Sequence, residues 1–502
     1  MLGKARGLQL IDNLGPGYCR LRRVRLAGLV MAMSSAFLLT IFLYVVALGE
    51  GLSNRTLVMI SHRGAPLDIR QVPLMMAQAA AASGGRVRSL TQEDRDCEQC
   101  FAQDGMIHDL TTVGVQIVDS KCSASYDQIV NYLEKAKDMT GIAFVCEPDF
   151  KVSLNPVPRR VLPLDLSECK GGNSVLGTND PKSSCQSNLE VIRIGAAWAV
   201  ARAAKQKLKD IVLAIIDTGA DMTHPDLVNQ FWKDPADGSI GHNFITKTSD
   251  VTDDNGHGTH CAGNAAAQTN NTLGIAGVAN ANGGSPNVKL MILKFLDAGG
   301  SGDTSNALSA LNYAVEHGAT VSSHSYGAYY ASQVFENAFK NAAAANHVAV
   351  VAAGNDASTL DQVPMYPCSF AVDIPSMLCI AASTSATKDI KLAYFSNAGT
   401  VTKIAAPGLD INSTYAGGYT SLSGTSMSTP TVAGAAALVA TLGPKGQEIT
   451  DAIVQSRTAG IPNDFNLANI GELDALNAVH VALGQPTSPP RLSKHPERVR
   501  GF

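Results

Sequence analysis

Residues 210–217 read DIVLAIID, six apolar side chains in a row between two aspartates. A strand with one face in water alternates polar and apolar residues. An unbroken run of this length instead belongs to a strand buried on both faces, as in a parallel sheet covered by helices. The signature returns in VKLMILKFLD (288–297), ATVSSHSYG (319–327) and HVAVVAAGN (347–355). Helical patterns stand among them: SNALSALNYAVEHG (305–318), closed by Gly318, VFENAFKNAAAAN (334–346), and later MSTPTVAGAAALVATLG (427–443), ending on Gly443. This alternation predicts an α/β domain over residues 189–483, three layers thick, with helices on both faces of a mostly parallel central sheet. Ligand sites in such sheets lie beyond the carboxyl ends of the strands.

Ahead of it, TLVMI (56–60), VPLMMAQAAAA (72–82), TTVGVQIV (111–118), SYDQIVNYLEKAK (125–137) and IAFVCEPDFKV (142–152) read as strand, helix, strand, helix, strand. They predict a small α+β, ferredoxin-like unit over 56–155. Residues 156–188 are rich in Pro and Gly and carry the dibasic pair Arg159–Arg160, which predicts an exposed linker open to proteolysis. The tail 484–502 is basic, Pro-rich and without a core to join.

Residues 1–25 hold six basic side chains, Lys4, Arg6, Arg20, Arg22, Arg23 and Arg25, against one acid, Asp12. Leu26–Leu48 follow without a charge. That length matches a bilayer crossing, as a signal anchor, and the VALGEG after it also suits a signal peptidase. Either way the basic end stays in the cytosol and the remainder enters the secretory route, as a single-pass (type II) anchored or a secreted protein. This segment is the one part expected to meet a membrane. The balance of 39 basic to 43 acidic residues excludes the one-signed field of a nucleic-acid binder. Ten cysteines suit an oxidising compartment. Cys19 lies on the cytosolic side, so nine remain and one at least is unpaired within the chain. Cys368 and Cys379, around one short loop, form the expected pair. Cys97 and Cys100 suggest a disulfide or free thiols. Asn54, Asn270 and Asn412 open glycosylation sequons.

The reactive side chains fall on one edge of this map. Asp217 is the first polar residue after a buried strand. His257 sits in DDNGHGTHCAG (253–263), which runs into a helix of small residues. Asn355 ends the strand VAVVAAGN, and Ser426, in SGTSMSTP (423–430), enters the late Ala-rich helix where N–H groups lack partners. A serine hydroxyl needs a base to take its proton, histidine is the natural base near neutrality, and a buried carboxylate fixes the imidazole tautomer. Asn355 with a helix-entry N–H would receive an oxyanion. His257 and His260 lack the spacing and the Glu of H-E-x-x-H, so no catalytic metal is expected.

Five blocks, AIIDTGAD (214–221), NGHGTHCAG (255–263), VSSHSYG (321–327), VVAAGN (350–355) and GTSMSTPTVAG (424–434), resemble the subtilisin-like serine endopeptidases, in the same Asp, His, Ser chain order. The resemblance covers about residues 180–480, and VCEPDFKV (145–152) resembles the end of the family's inhibitory prodomain. It implies Asp217, His257 and Ser426 as the triad and Asn355 as the oxyanion donor. It also implies Gly300, Ser301 and Gly302 with Ser325, Tyr326 and Gly327 as the two segments between which a substrate strand is held. Met365 falls at the base of the S1 pocket and suggests a medium-sized apolar or polar P1 residue. TNNTLGIAGVA (269–279) with THPDL (223–227) resembles the family's structural calcium site, with ligands from Asp226, Asn271 and the carbonyls of Thr269, Leu273 and Ile275, and with Gln186 in an uncertain register. Ser428 and Thr431 depart from the usual Ala and His after the nucleophile. Cys261 lies one turn beyond His257, where a bulky mercurial would reach the base. The implied function is an endopeptidase acting on extended polypeptides, made as a zymogen inhibited by its own prodomain. The alternative is a catalytically silent relative that binds peptides in the same cleft. The Glu-using acid relatives of the fold are disfavoured by His257.

Overall fold

The computed structural model describes residues 55–62, 65–82, 90–156, 166–280 and 287–487. Leu26–Leu48, Asn54 and Arg159–Arg160 lie outside the described residues. The chain divides into two compact units, and everything from Asp149 onward belongs to the larger.

The N-terminal sheet contains strands β1 (Thr56–His62), β2 (Ile107–Leu110), β3 (Val115–Val118) and β4 (Ala143–Pro148), in the order β4-β1-β3-β2, and of these Leu57–Met59 and His108–Ile117 are grouped with the larger unit. This is the ferredoxin-like order. The smaller unit's helices are α1 (Val72–Ala82), α2 (Gln92–Phe101) and α3 (Tyr126–Thr140). Ile129, Tyr132, Leu133 and Ala136 put the apolar stripe of α3 into the core. Helix α2 was not expected from its charged sequence. A capping box sets its start, with the Thr91 side chain accepting from Asp94 N–H and Asp94 accepting from Thr91 N–H. The run 142–152, expected as one strand, is two: β4 and β5 (Lys151–Ser153), and β5 belongs to the larger unit.

The larger unit is built on β6 (Ile211–Asp217), β7 (Gly241–Asn243), β8 (Val288–Lys294), β9 (Ser301–Asp303), β10 (Val321–His324), β11 (Val348–Ala352), β12 (Met377–Ser383), β13 (Ile404–Pro407), the hairpin β14 (Ile411–Tyr415) and β15 (Gly418–Leu422), and β16 (Gly471–Glu472). Its longer helices, apart from Ile194–Arg202, are α4 (His257–Ala266), α5 (Thr304–Glu316), α6 (Gln333–Ala344), α7 (Thr425–Thr441), α8 (Gln447–Ser456) and α9 (Ala475–Ala482). Eight strands form one sheet in the order β16-β13-β12-β11-β10-β6-β8-β7, and every adjacent pair is parallel. The predicted α/β sheet is therefore present, with Leu213 and Ile215 in the core and Ile211–Asp217 aligned on Val288–Lys294.

The chain runs from β6 outward through β7 and β8, then returns to lay β10 on the other flank of β6. The order reverses there, and the crevice at such a switch point is where this architecture binds ligands. All residues of α7 are buried, a helix of small hydroxyl-bearing and apolar side chains through the core.

Residues 166–188 correct the expectation of one exposed linker over 156–188. They fold against the larger unit with short 3₁₀ turns at Leu166–Glu168 and Pro181–Cys185, a Cys169–Cys185 disulfide, and buried Asp180, Ser183 and Gln186. The Cys368–Cys379 disulfide forms as expected. Cys100 pairs with Cys122, leaving Cys97, Cys146 and Cys261 free among the described residues.

Candidate active site

At the switch point, Asp217 ends β6, fully buried, and Ser325 follows β10 one residue past the His324–Ile216 register pair. Asp217 Oδ1 accepts from Thr218 N–H at 2.7 Å and pairs with His257 Nδ1 at 2.8 Å. With Nδ1–H donated to the carboxylate, Nε2 is left as the basic nitrogen. Burial opposes a charge on the His257 ring. The Asp217 carboxylate, with Cys261 behind it, outweighs burial and holds the ring's pKa well above the ordinary value.

The turn that presents His257 is held by Asp253, a residue the sequence reading passed over. Its Oδ1 accepts from Gly256 N–H and Thr218 Oγ1, each at 2.8 Å, and its Oδ2 from Thr259 N–H and Oγ1 at 2.8 and 2.6 Å. Gly256 caps α4 at φ 99°, where a Cβ would stand 2.4 Å from the Tyr415 ring. Lys294 is nearly buried, and its Nζ bridges Thr218 O and Asp254 Oδ1, both at 2.6 Å. The repeated Asp and Asn of DDNG, residues that bond their own backbone, were the available signal for Asp253. His260 points elsewhere, with Nε2 on Ile411 O at 2.9 Å; burial lowers its pKa to about 3 and keeps it neutral.

Ser426 is the second residue of α7. Four residues on, Pro430 has no N–H to give to the Ser426 carbonyl. That oxygen is taken by Ser325 Oγ at 3.0 Å and by the Cys261 thiol at 3.5 Å. Cys261 Sγ also stands 3.8 Å from His257 Nδ1, and Asp217, His257 and Cys261 offer three metal-capable atoms within 4.8 Å of one another. The Ser426 hydroxyl donates to Ser325 O at 3.3 Å and makes no bond to His257. Asn355 lies three residues past β11. Its Oδ1 accepts from Thr425 N–H at 2.8 Å and Thr425 Oγ1 at 3.0 Å, which turns its Nδ2 toward the crevice.

The crevice holds a strand of the same unit. Strand β5 pairs antiparallel with β9, matching Ser301 to Ser153, Gly302 to Val152 and Asp303 to Lys151. On its other side, Ser153 N–H donates to Gly327 O at 3.1 Å and Gly327 N–H to Ser153 O at 3.0 Å. Leu154 N–H reaches Gly300 O at 2.9 Å. Next along the chain, the Asn155 carbonyl accepts from Asn355 Nδ2. The two expected segments thus flank an extended chain. The Tyr326 side chain turns inward, with its hydroxyl 2.8 Å from His324 Nδ1. Met365 is buried beside Gly327.

The sequence pattern of the subtilase family matches residues 208–469, a little over half the chain. The chain belongs to the subtilase family. This subtilase is 39% identical over 270 residues to the thermophilic serine proteinase of Bacillus sp. (strain AK1), a match covering 53% of this chain and 61% of that one. It is 38% identical over 277 residues to thermitase of Thermoactinomyces vulgaris, across 55% of this chain and 89% of thermitase. A solved structure, from the proteases of Pseudoalteromonas arctica PAMC 21717, aligns at 26% identity and a TM-score of 0.51, over 61% of this chain and 99% of that one. The subtilase is a subtilisin-like serine protease by these relations.

The loop read as a calcium site brings two acids together. Asp226 accepts from Asn271 Nδ2 and Ile275 N–H at 2.9 Å and from Tyr419 OH at 3.0 Å. Asp180, which the sequence reading did not include, accepts from Asn270 N–H at 2.8 Å and Asn271 N–H at 2.9 Å. Both carboxylates are fully buried, and neither has a basic partner among the described residues. Burial, joined by the charge of Asp226, raises the Asp180 pKa to about 6. The carbonyls of Thr269, Leu273 and Ile275 accept no hydrogen bond from the described residues. Two buried acids beside unused carbonyls suit a hard cation. Gln186 is buried, with its amide paired both ways with the backbone of Ala276, at 2.8 and 2.9 Å.

Proposed function

We propose that this subtilase hydrolyses extended polypeptides through Asp217, His257 and Ser426, and that it is made as a zymogen whose cleft is closed by its own chain. The observation that carries the reading is the strand Lys151–Asn155, lying between residues 300–303 and Gly327 with the Asn155 carbonyl on Asn355 Nδ2. It is held as a substrate would be, chiefly through main-chain hydrogen bonds.

In the reaction, Ser426 Oγ leaves the Ser325 carbonyl, turns to His257 and bonds to the scissile carbonyl carbon as His257 Nε2 takes its proton. The oxygen gains the negative charge and is stabilised by Asn355 Nδ2 and by Ser426 N–H, which has no intrahelical acceptor in the first turn of α7. His257 then gives its proton to the leaving nitrogen as the carbon–nitrogen bond breaks. Water repeats the sequence on the acyl-enzyme and returns the serine. Asp217 stays ionised and stabilises the imidazolium throughout. Calcium, when bound by Asp226, Asn271 and the loop carbonyls, supplies no step; it would neutralise buried acids and fix the loop.

The activation cut falls within 156–188 on this reading, and the first bond past the aligned carbonyl joins Asn155 to Pro156. Entry of Leu26–Leu48 into a membrane would place the catalytic unit on the secretory side, which the Cys169–Cys185 and Cys368–Cys379 disulfides favour. A fluorophosphonate probe tests the function. Labelling of Ser426 once the 151–155 strand is released, and none in Ser426→Ala, is expected. Absence of label in the released enzyme would favour the silent peptide-binding reading.

A further inference from the structure

In the strand that fills the crevice, the Asn155 side chain has a partner of its own. Its Nδ2 donates to Asp356 Oδ2 at 2.7 Å. Asp356 immediately follows the oxyanion donor Asn355, so the carboxylate sits at the mouth of the pocket that receives the residue carrying the aligned carbonyl. It is held there from three sides. Tyr329 OH donates to Oδ2, Asn397 Nδ2 approaches the same oxygen at 3.4 Å, and Asp356 N–H donates to Asn397 Oδ1 at 2.9 Å. Burial, joined by the hydrogen bond and charge of Asp356, pushes the Tyr329 pKa up, which keeps the phenol a donor.

The pocket beneath is short. Met365 is 2% exposed and lies under its two backbone walls: a Cβ on Gly327 would stand 2.4 Å from Met365 Cε, and one on Gly354 2.4 Å from Met365 Sδ. An ionised carboxylate is an acceptor only, so it discriminates among P1 residues by demanding a donor. It receives that donor two bonds beyond Cβ. A lysine or arginine would have to fold back from a floor already filled, and an aspartate would set like charges against each other.

We infer that Asp356, fixed by Tyr329 and Asn397, makes this subtilase select asparagine at P1. The inference rests on the peptidase reading above and extends it to the substrate. It sharpens the expectation drawn from Met365 alone: the pocket takes a medium-sized polar residue, and the acid at its rim chooses which.

The test uses enzyme released from its 151–155 strand and four peptides differing only at P1, as Asn, Asp, Leu and Lys, with fluorophosphonate labelling of Ser426 measured on the same preparations. Wild type is expected to show kcat/KM for P1 Asn at least about tenfold above Leu and Lys and further above Asp, the scale of one hydrogen bond to a charged acceptor. Asp356→Asn should narrow the Asn-to-Leu ratio to within about threefold and raise P1 Asp, with Ser426 still labelled. Tyr329→Phe should give a smaller change in the same direction. Full labelling with P1 Leu or Lys preferred, or an Asn preference that survives Asp356→Ala, would overturn the inference and leave the peptidase standing. Absent labelling would overturn both.

Discussion

His257 is enclosed, and burial alone would drive its ring to the neutral form. The Asp217 carboxylate 2.8 Å away reverses this and raises the pKa above the ordinary 6.5. The sign follows. Only the neutral ring can take the serine proton, so activity is low where the ring is charged and climbs as pH rises through the raised value. The stabilisation from the charged pair runs the other way, complete below 6.5 and lost as pH rises through the folded-state pKa. A pH–rate profile should therefore place the controlling ionisation above that of free histidine. Asp217→Asn should move it down and cut kcat by about 10⁴-fold, because the amide favours the wrong tautomer. Cys261 makes a second test at this scale. Burial raises its pKa, so it persists as a thiol, and its sulfur lies 3.8 Å from His257 Nδ1. A mercurial should inactivate the released enzyme slowly, as the buried thiol becomes accessible, and Cys261→Ser should resist it. Equal inactivation of the two would remove Cys261 from the account.

At the scale of elements, the calcium loop carries the clearest prediction. Asp180 and Asp226 are buried without basic partners, so a bound cation would stabilise the folded state alone. Chelation should lower Tm by about 5–10 °C, from about 2.7 kcal/mol of linkage at a hundredfold excess over Kd. Asp226→Asn should lower Tm and abolish most of the response to chelator; an unchanged Tm on chelation would remove calcium from the account. The loop also shows what a sequence discloses. Asp226 and Asn271 sit in recognisable local patterns. Asp180 lies 46 positions before Asp226 and meets it only through folding, so no window contains both. Strand β6 was legible for the opposite reason, since its burial on both faces is written in six consecutive side chains. Helix α2 was not, because its buried apolar stripe is only Cys97, Cys100 and Phe101 among charged residues, and a cap sets its start. The triad positions could be read because each ends or begins an element at one edge of the sheet. Asp253 and Lys294 act through hydrogen bonds to backbone groups, and such contacts leave little trace in residue type.

Across the larger unit, the strand in the crevice is anchored at its start as well as at its end. Asp149, fully buried, accepts from Ser305 N–H at 2.8 Å and Ser305 Oγ at 2.6 Å, capping α5 from outside the helix, since Asp303 makes no side-chain cap of its own. Phe150 packs on Tyr330 with ring centres 4.2 Å apart, and Lys151 pairs with Asp303 at 2.7 Å. The exposed ion pair adds little, so the buried carboxylate is the contact whose loss should be felt. If these contacts keep the crevice closed, loosening Asp149 should open it without touching the machinery beyond. Hydrogen bonds to a charged acceptor contribute about 1.5–3 kcal/mol each, so losing the pair in Asp149→Ala, about 3–6 kcal/mol, should raise the open population by at least about a hundredfold. In the full chain, fluorophosphonate labelling of Ser426 should accelerate by that factor, while the enzyme released from the strand should label as wild type does. A full chain whose labelling rate is unaltered by Asp149→Ala, with a melting temperature showing that the helix remains folded, would mean that the strand is held from its Asn155 end alone.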